Sequence, residues 1–223
     1  MIEELPKIPL ELYVVSYMNK CAEEGIKAIE SEMNDLGMSS TKFDVEIMSD
    51  EDEEGILIVD GINIKANAYG IDNIEFIIAP NKQSIFQPLR KIASGGEISR
   101  IMLSLKNVLS LGDYCETMVF DEIDVGVGGR IAEVIGEKIA ALSKRKQILS
   151  VTHLAQIAIY ANTHFKVIKN EGEDNVTSTI EELNENTRVG EIARMITGKE
   201  ITEASIKHAA ELLEGARKSN IFI

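Results

Sequence analysis

The sequence predicts an α/β fold built on a mostly parallel sheet that helices cover. Two short apolar runs, at residues 117–120 and 147–152, have the length of strands and lack the polar alternation of a half-exposed strand. Helical periodicity precedes the first run and separates the two. Parallel strands need such crossover helices, and unalternating apolar strands indicate a sheet that is covered on both faces.

The composition excludes several classes of protein. The chain has 223 residues, of which 44% are apolar and 27% charged, as in a globular protein with one sizeable core. Its apolar runs are too short to span a bilayer, and its first residues lack the pattern of a signal peptide, so a cytoplasmic location is expected. Two cysteines and three histidines show neither a disulfide framework nor the spacing of zinc ligands.

The first third of the chain predicts a long helix and a small β structure. Residues 10–36 carry apolar side chains at steps of three and four, which predicts one helix that stops at Gly37. This stripe fits a coiled-coil strand or a helix packed on its own domain. Residues 43–48 and 56–59 flank the acidic run 50–54 and are predicted to pair as a hairpin, and residues 74–79 form another strand.

The rest of the chain alternates between segments with helical periodicity and short β-rich segments. Apolar positions at helical spacing predict helices at residues 97–111, 130–142, 154–160, 189–196 and 202–217. Residues 165–169 and 176–183 are β-rich and close in sequence, so they are predicted to pair as a hairpin.

A serine and two glycines stand at the start of the helix predicted near residue 97. Ser94 can cap the helix through its hydroxyl or present that hydroxyl to a ligand. Gly95 and Gly96 let another backbone or a phosphate approach, and the free amide groups of a helix start attract an anion. The same residues also suit an ordinary capped helix.

Two carboxylates and a histidine follow the two predicted parallel strands. Asp121 and Glu122 come directly after residues 117–120, and His153 follows residues 147–152. Ligands of open α/β sheets collect at the carboxyl ends of strands. Asp121 could hold Mg²⁺ through water, and Glu122 could polarise an attacking water. Taken singly, they also fit a solvated acidic turn and a structural histidine, and the glycine-rich residues 124–129 fit a plain loop.

Taken together, the order and spacing of these motifs resemble the second half of an ABC-type ATPase head. Ser94, Gly95, Gly96 and Glu97 resemble the signature motif, residues 119–122 Walker B, Asp124 with its neighbours the D-loop, and His153 the switch histidine. The amino-acid sequences of residues 91–100, 120–130, 150–156 and 194–198 are similar to those of the RecN family of ABC/SMC-type ATPases. This resemblance covers roughly residues 10 to 214.

The resemblance implies a function for each motif. ATP and Mg²⁺ would be the cofactors, with Asp121 holding Mg²⁺ through water and Glu122 and His153 acting in catalysis. The signature residues Ser94, Gly95, Gly96 and Glu97 would act in trans on ATP bound by a second head, in an ATP-dependent homodimer. The family acts in the repair of DNA double-strand breaks in bacterial cytoplasm, at the nucleoid. Residues 1–38 would be the end of a coiled-coil helix and residues 39–223 the C-terminal lobe of the head.

One motif of these ATPases is missing from the chain. No Gly-x-x-x-x-Gly-Lys-Ser/Thr occurs, and Gly198-Lys199 lacks the upstream glycine. The resemblance implies that an N-terminal lobe, separated by a coiled coil, supplies this Walker A motif as a partner. The chain alone is therefore expected to be inactive. Two competing interpretations are a non-catalytic interaction or dimerisation lobe and the head of another SMC-class protein. A transporter subunit is disfavoured by the coiled-coil-like helix at residues 10–36 and by the RecN-like sequence of the motifs.

The charge balance predicts weak binding of DNA by this lobe. The chain carries 37 acidic and 23 basic residues, a net charge of −14, so its mean field repels a polyanion. Non-specific affinity comes from phosphate contacts by Lys and Arg and falls steeply with salt. Fluorescence anisotropy with a short duplex at two salt concentrations should show weak binding that disappears with modest salt. Sub-micromolar binding at physiological salt would contradict this prediction.

Overall fold

The computed structural model describes residues 10–53, 55, 57–59, 61–66, 71–92, 94–109, 115–171, 176–198 and 200–219. The chain divides into two compact units, Met1–Ala93 and Ser94–Ile223. The coiled-coil assignment of residues 1–38 and the domain boundary after residue 38 stay predictions. None of the described helices combines the length and apolar character that crossing a bilayer requires.

The first unit joins a long helix to an antiparallel sheet. Helix α1, Leu10–Asp35, ends where Gly37 takes a φ of 82°, a left-handed conformation that suits glycine. Strand β1, Lys42–Ser49, pairs antiparallel with β4, Asp72–Ala79, and β5, Gln87–Pro88, joins the other edge of β4 before a 3₁₀ turn at Leu89–Lys91. The end of α1 packs on β1.

The hairpin predicted between residues 43–48 and 56–59 is wrong. Strand β1 pairs with β4, whereas β2, Leu57–Val59, pairs with β3, Ile62–Ile64, a strand that the sequence did not indicate. Phe43 and Ile78 face each other in the β1–β4 ladder and are almost fully buried. Burial of such apolar cross-strand pairs favours this distant partner over the nearer one.

The second unit has the predicted alternation of helices and parallel strands. Helix α2, Gly95–Leu109, precedes β6, Thr117–Phe120, and helix α3, Gly129–Ser143, leads to β7, Gln147–Ser150. Strands β6 and β7 pair in parallel over their full length, from Thr117↔Gln147 to Phe120↔Ser150. This confirms the α/β class. The last predicted residues of α2, 110 and 111, lie outside the described residues.

The described part of the second unit covers only one face of this parallel pair. Met118 and Phe120 are buried, whereas Val119 is 69% exposed and Leu149 50% exposed. The sequence predicted a sheet covered on both faces, as apolar strands without alternation require. A second cover for the face that carries Val119 and Leu149 does not come from the described part of this unit.

Three further helices form the main core of the second unit. They are α4, Ala155–Ala158, α5, Glu185–Thr197, and α6, Glu203–Lys218. Their core is rich in alanine, which lets helix axes approach closely. It contains Ala140, Ala155, Ala158, Ile192, Ala193, Ala209, Leu213 and Ala216.

The last two strands form the hairpin that the sequence predicted. Strands β8, Phe165–Glu171, and β9, Val176–Glu182, pair antiparallel throughout. Glu191 of α5 is buried and holds β8 in place, because its carboxylate accepts from Lys166 at 2.6 Å and also pairs with Arg194. The hydrogen bonds from Arg194 and Lys166 outweigh burial and lower the pKa of Glu191 to about 2.

We expect Glu191→Gln to destabilise the chain in a pH-dependent manner. Removing this carboxylate should cost about 1–2 kcal/mol at neutral pH, because Lys166 and Arg194, which are 33% and 49% exposed, lose a charged hydrogen-bond acceptor. A depressed carboxyl pKa contributes stability above the unfolded value near 4.5, and that contribution is lost as pH falls toward 2. Urea unfolding at pH 7 and pH 3 should show that the difference in the free energy of unfolding between wild type and variant is smaller at pH 3.

Glu185→Gln is the matched control, since Glu185 lies on the same helix as Glu191 and forms an exposed ion pair with Arg217 of α6. Exposed ion pairs contribute little, so this variant should stay close to wild type. If both variants lose the same free energy of unfolding, or if the loss in Glu191→Gln is the same at pH 7 and pH 3, the role assigned to the Glu191 ion pairs is wrong.

Candidate functional site

The predicted carboxylates and histidine lie at one edge of the parallel pair. Phe120 and Ser150 end their strands side by side, and the Val151 amide donates to the Phe120 carbonyl at 3.0 Å. Asp121 and Glu122 therefore leave β6 at the edge where His153 follows β7. This is the edge at which α/β folds bind ligands.

Glu122 has an unusual backbone conformation. Its φ is 57°, and it is the only non-glycine residue with a positive φ among the described residues. Such a conformation costs of order 1 kcal/mol or more for a residue with a side chain, and strain of this kind clusters at functional sites. The Asp121 carboxylate supports the turn, because its Oδ1 accepts from the Glu122 amide at 2.9 Å.

The glycines at the start of α2 lie against this turn. A Cβ on Gly95 would clash with the Glu122 carboxylate, so the two residues are in contact. A Cβ on Gly96 would lie 3.0 Å from the Val125 carbonyl oxygen and 3.1 Å from that of Glu122. The close approach of main-chain carbonyls therefore favours glycine at position 96, whereas at position 95 the neighbour is the end of a flexible side chain.

Ser94 and Glu97 complete the predicted signature motif. The Ser94 hydroxyl accepts from the Glu97 amide at 3.4 Å, a long hydrogen bond in the position of a helix cap. Helix α2 starts at Gly95, two residues earlier than the sequence predicted. Ala93, which precedes Ser94, lies outside the described residues.

Asp124 joins the turn after β6 to the loop after β7. Its side chain is 4% exposed, and Oδ2 accepts from the Thr152 hydroxyl at 2.6 Å and from the His153 amide at 2.8 Å. The same oxygen lies 2.9 Å from Nδ1 of His153. A neutral His153 would therefore carry its proton on Nδ1 and leave Nε2 as an acceptor. The imidazole is 72% exposed, so it is held in place yet open to solvent.

All eight predicted site residues lie in the second unit, and the structure brings most of them together. Gly95 contacts Glu122, Gly96 approaches the same turn, Asp121 binds the Glu122 amide, and Asp124 binds His153. The catalytic, metal-binding and signature roles assigned to these residues stay predictions. No group of three metal-ligating side chains occurs among the described residues.

Three residues of the site were not identified from sequence. Thr152 binds Asp124, the Ser99 hydroxyl donates to the Asp121 carbonyl at 2.8 Å, and Arg100 donates to the carbonyls of the turn. Ser99 and Arg100 follow Gly96 by three and four positions, so all three share a face of α2. An arginine among the apolar residues of a predicted helix was the available signal in the sequence.

Comparison with known proteins gives relatives of one kind. No protein-family profile matches the chain. The DNA repair protein RecN of Treponema pallidum is 43% identical over 192 residues, which are 85% of this chain and 32% of that protein. The RecN of Bacillus subtilis is 36% identical over 203 residues, 90% of this chain and 34% of that protein.

Among solved structures, the Smc head domain of Pyrococcus yayanosii matches 92% of this chain and 33% of that one, at 14% identity and a TM-score of 0.48. That likeness is too slight to support a statement about this chain. The sequence relatives are much closer, and the chain spans about a third of their length. With more than a third of its residues identical to theirs over most of its own length, this chain is a homologue of the DNA repair protein RecN.

Proposed function

We propose that this chain is the C-terminal lobe of the ATPase head of a RecN-type DNA repair protein. The observation that carries the proposal is the contact of Glu122 with Gly95, together with the hydrogen bonds that tie Asp124 to His153. These contacts unite three separate segments of the chain at the ligand-binding edge of a parallel sheet. That grouping has the chemistry of ATP hydrolysis, which needs positioned water, charge stabilisation and Mg²⁺.

Each residue then has a chemical role. Glu122 accepts the proton of the attacking water, and Nε2 of His153 bonds to that water or to the γ-phosphate. Exposed Asp121 holds Mg²⁺ through water, which fits a single carboxylate because Mg²⁺ retains much of its hydration shell. Bound Mg²⁺ would neutralise developing negative charge on the phosphates.

The signature residues Ser94, Gly95, Gly96 and Glu97 act on ATP held by a second head. The amides at the start of α2 and the Ser94 hydroxyl are suited to a phosphate. A nucleotide held between two heads binds the closed pair more tightly than the open one, so ATP promotes a homodimer.

An N-terminal lobe with a Walker A motif completes the head. The exposed apolar face of β6 and β7 supports this partner, because Val119, Leu149 and Val151 are all at least half exposed there. Parallel sheets are normally covered on both faces. The RecN relatives are about three times as long as the matched segment, which leaves room for such a lobe and for a coiled coil that ends in residues 1–38.

For this chain by itself, a second function is a non-catalytic lobe that binds its partner without turnover. The missing Gly-x-x-x-x-Gly-Lys-Ser/Thr favours it, because that loop cradles the β- and γ-phosphates. In both cases the intact protein works on DNA in the bacterial cytoplasm, and this acidic lobe contributes little to DNA affinity.

Glu122→Gln tests the catalytic assignment in the protein that carries this chain together with its Walker A lobe. The substitution keeps the size of the side chain and removes the base, so kcat should fall about 10²–10⁴-fold while ATP binding persists. Phosphate release measures the first effect, and light scattering should show an accumulated ATP-bound dimer. Glu211→Gln, the same change on the exposed surface of α6, is the control. Wild-type turnover by Glu122→Gln would exclude Glu122 as the base.

Ser94→Arg tests the trans assignment in the same protein. The arginine side chain would occupy the space at the helix start where the nucleotide of the second head approaches, so ATP binding should persist and turnover should be lost. Mixed with a Walker A variant, it should recover part of the activity, because one of the two composite sites then lacks both lesions. Mixed dimers without any activity would contradict action in trans.

A further inference from the structure

One face of α2 is bound to the turn that follows β6. Gly96 lies against the carbonyls of Glu122 and Val125, and Ser99 donates to the Asp121 carbonyl. Arg100 reaches furthest, because its Nη1 donates to the Val125 carbonyl at 3.0 Å and to the Ile123 carbonyl at 3.4 Å. Residues 121–125 are therefore held to the helix along their main chain.

Arg100 is an expensive residue to place there. Its side chain is 7% exposed, and its Nε has no hydrogen-bond partner in the described structure. Burial lowers the pKa of the guanidinium, and the Glu97 carboxylate opposes that shift. Burying an arginine costs free energy that a well-packed apolar side chain would not cost. Its contacts with two main-chain carbonyls thus point to placement of the turn more than to stability.

The two carbonyls that Arg100 binds belong to the neighbours of Asp124. Ile123 and Val125 flank that residue, whose side chain in turn holds the Thr152 hydroxyl and both the amide and Nδ1 of His153. Hydrogen bonds at both ends of the main chain of residues 123–125 therefore link α2 to His153. Energetic coupling between two sites is carried by contiguous contacts of this kind where the element has two arrangements.

We propose that Arg100 is a positioning residue that fixes the turn of residues 121–125 to helix α2. It thereby couples engagement of Ser94, Gly95 and Gly96 by the nucleotide of a second head to the placement of His153 in its own head. The inference rests on the proposed ATPase function. The hydrogen bonds of Arg100 go to main-chain carbonyls of the turn, so its role is to position and it acts through the turn.

Arg100→Met and Arg100→Lys test this role in the protein that includes the Walker A lobe. Methionine keeps much of the volume and removes every donor, so kcat should fall about 100-fold, as for a reacting group displaced by about 1 Å. The KM for ATP should change little. Lysine keeps the charge but lacks the planar fork that spans two carbonyls, and should recover only part of the turnover.

Arg188→Met is the matched control. Arg188 is 6% exposed, donates to the carbonyls of Ala158, Ile159 and Ala161, and also has an unpaired Nε. It holds the end of α4 and contacts none of the predicted site residues. Arg188→Met should lower the midpoint of thermal unfolding much as Arg100→Met does and should retain kcat per folded molecule.

The outcomes separate the inference from the function on which it rests. If Arg100→Met lowers kcat no more than Arg188→Met does per folded molecule, or raises KM alone, Arg100 is structural and the inference is wrong. If Arg100→Met does not fold, wild-type kcat in Arg100→Lys overturns the inference equally. Absent turnover in the wild-type protein, or normal turnover in Glu122→Gln, would instead overturn the proposed function and the inference with it.

Discussion

The turn of residues 121–125 depends on donors from α2, and much of the second unit depends on that turn. A strand that ends at a sheet edge leaves main-chain carbonyls without ladder partners, and each buried unpaired group costs about 1–3 kcal/mol. Ser99 and Arg100 supply donors to three of these carbonyls, and the carbonyl of Phe120 is bonded to the Val151 amide. The turn, the helix start and the loop after β7 are thus mutually positioned.

Backbone strain and close contacts between main-chain atoms both occur at this turn. Glu122 adopts a left-handed φ of 57°, which places its carboxylate against Gly95 rather than away from the helix. Gly96 lies so close to two carbonyls that an added Cβ would be crowded. Glycine at these positions therefore serves close packing of the turn against the start of α2.

Buried charged side chains in the second unit connect neighbouring helices, strands and turns. Arg100 joins α2 to the turn, Arg188 joins α5 to the end of α4, and Glu191 joins α5 to β8. Each side chain is less than one tenth exposed and bonds to groups of another element. Such groups contribute less to stability than to a unique arrangement, because misplacing them leaves a charge buried without partners.

The sequence alone determined the order and type of most elements and the identity of the candidate site. Period-3.6 stripes marked α1, α2, α3, α5 and α6, because one buried face imposes that spacing on a helix. Apolar runs marked β6 and β7, and polar residues at their ends marked the site edge. Only the tertiary structure decided that β1 pairs with β4, since the choice depends on which distant strand buries Phe43. It also decided the roles of Ser99, Arg100 and Thr152, because their partners are main-chain or distant side-chain atoms that no local pattern encodes.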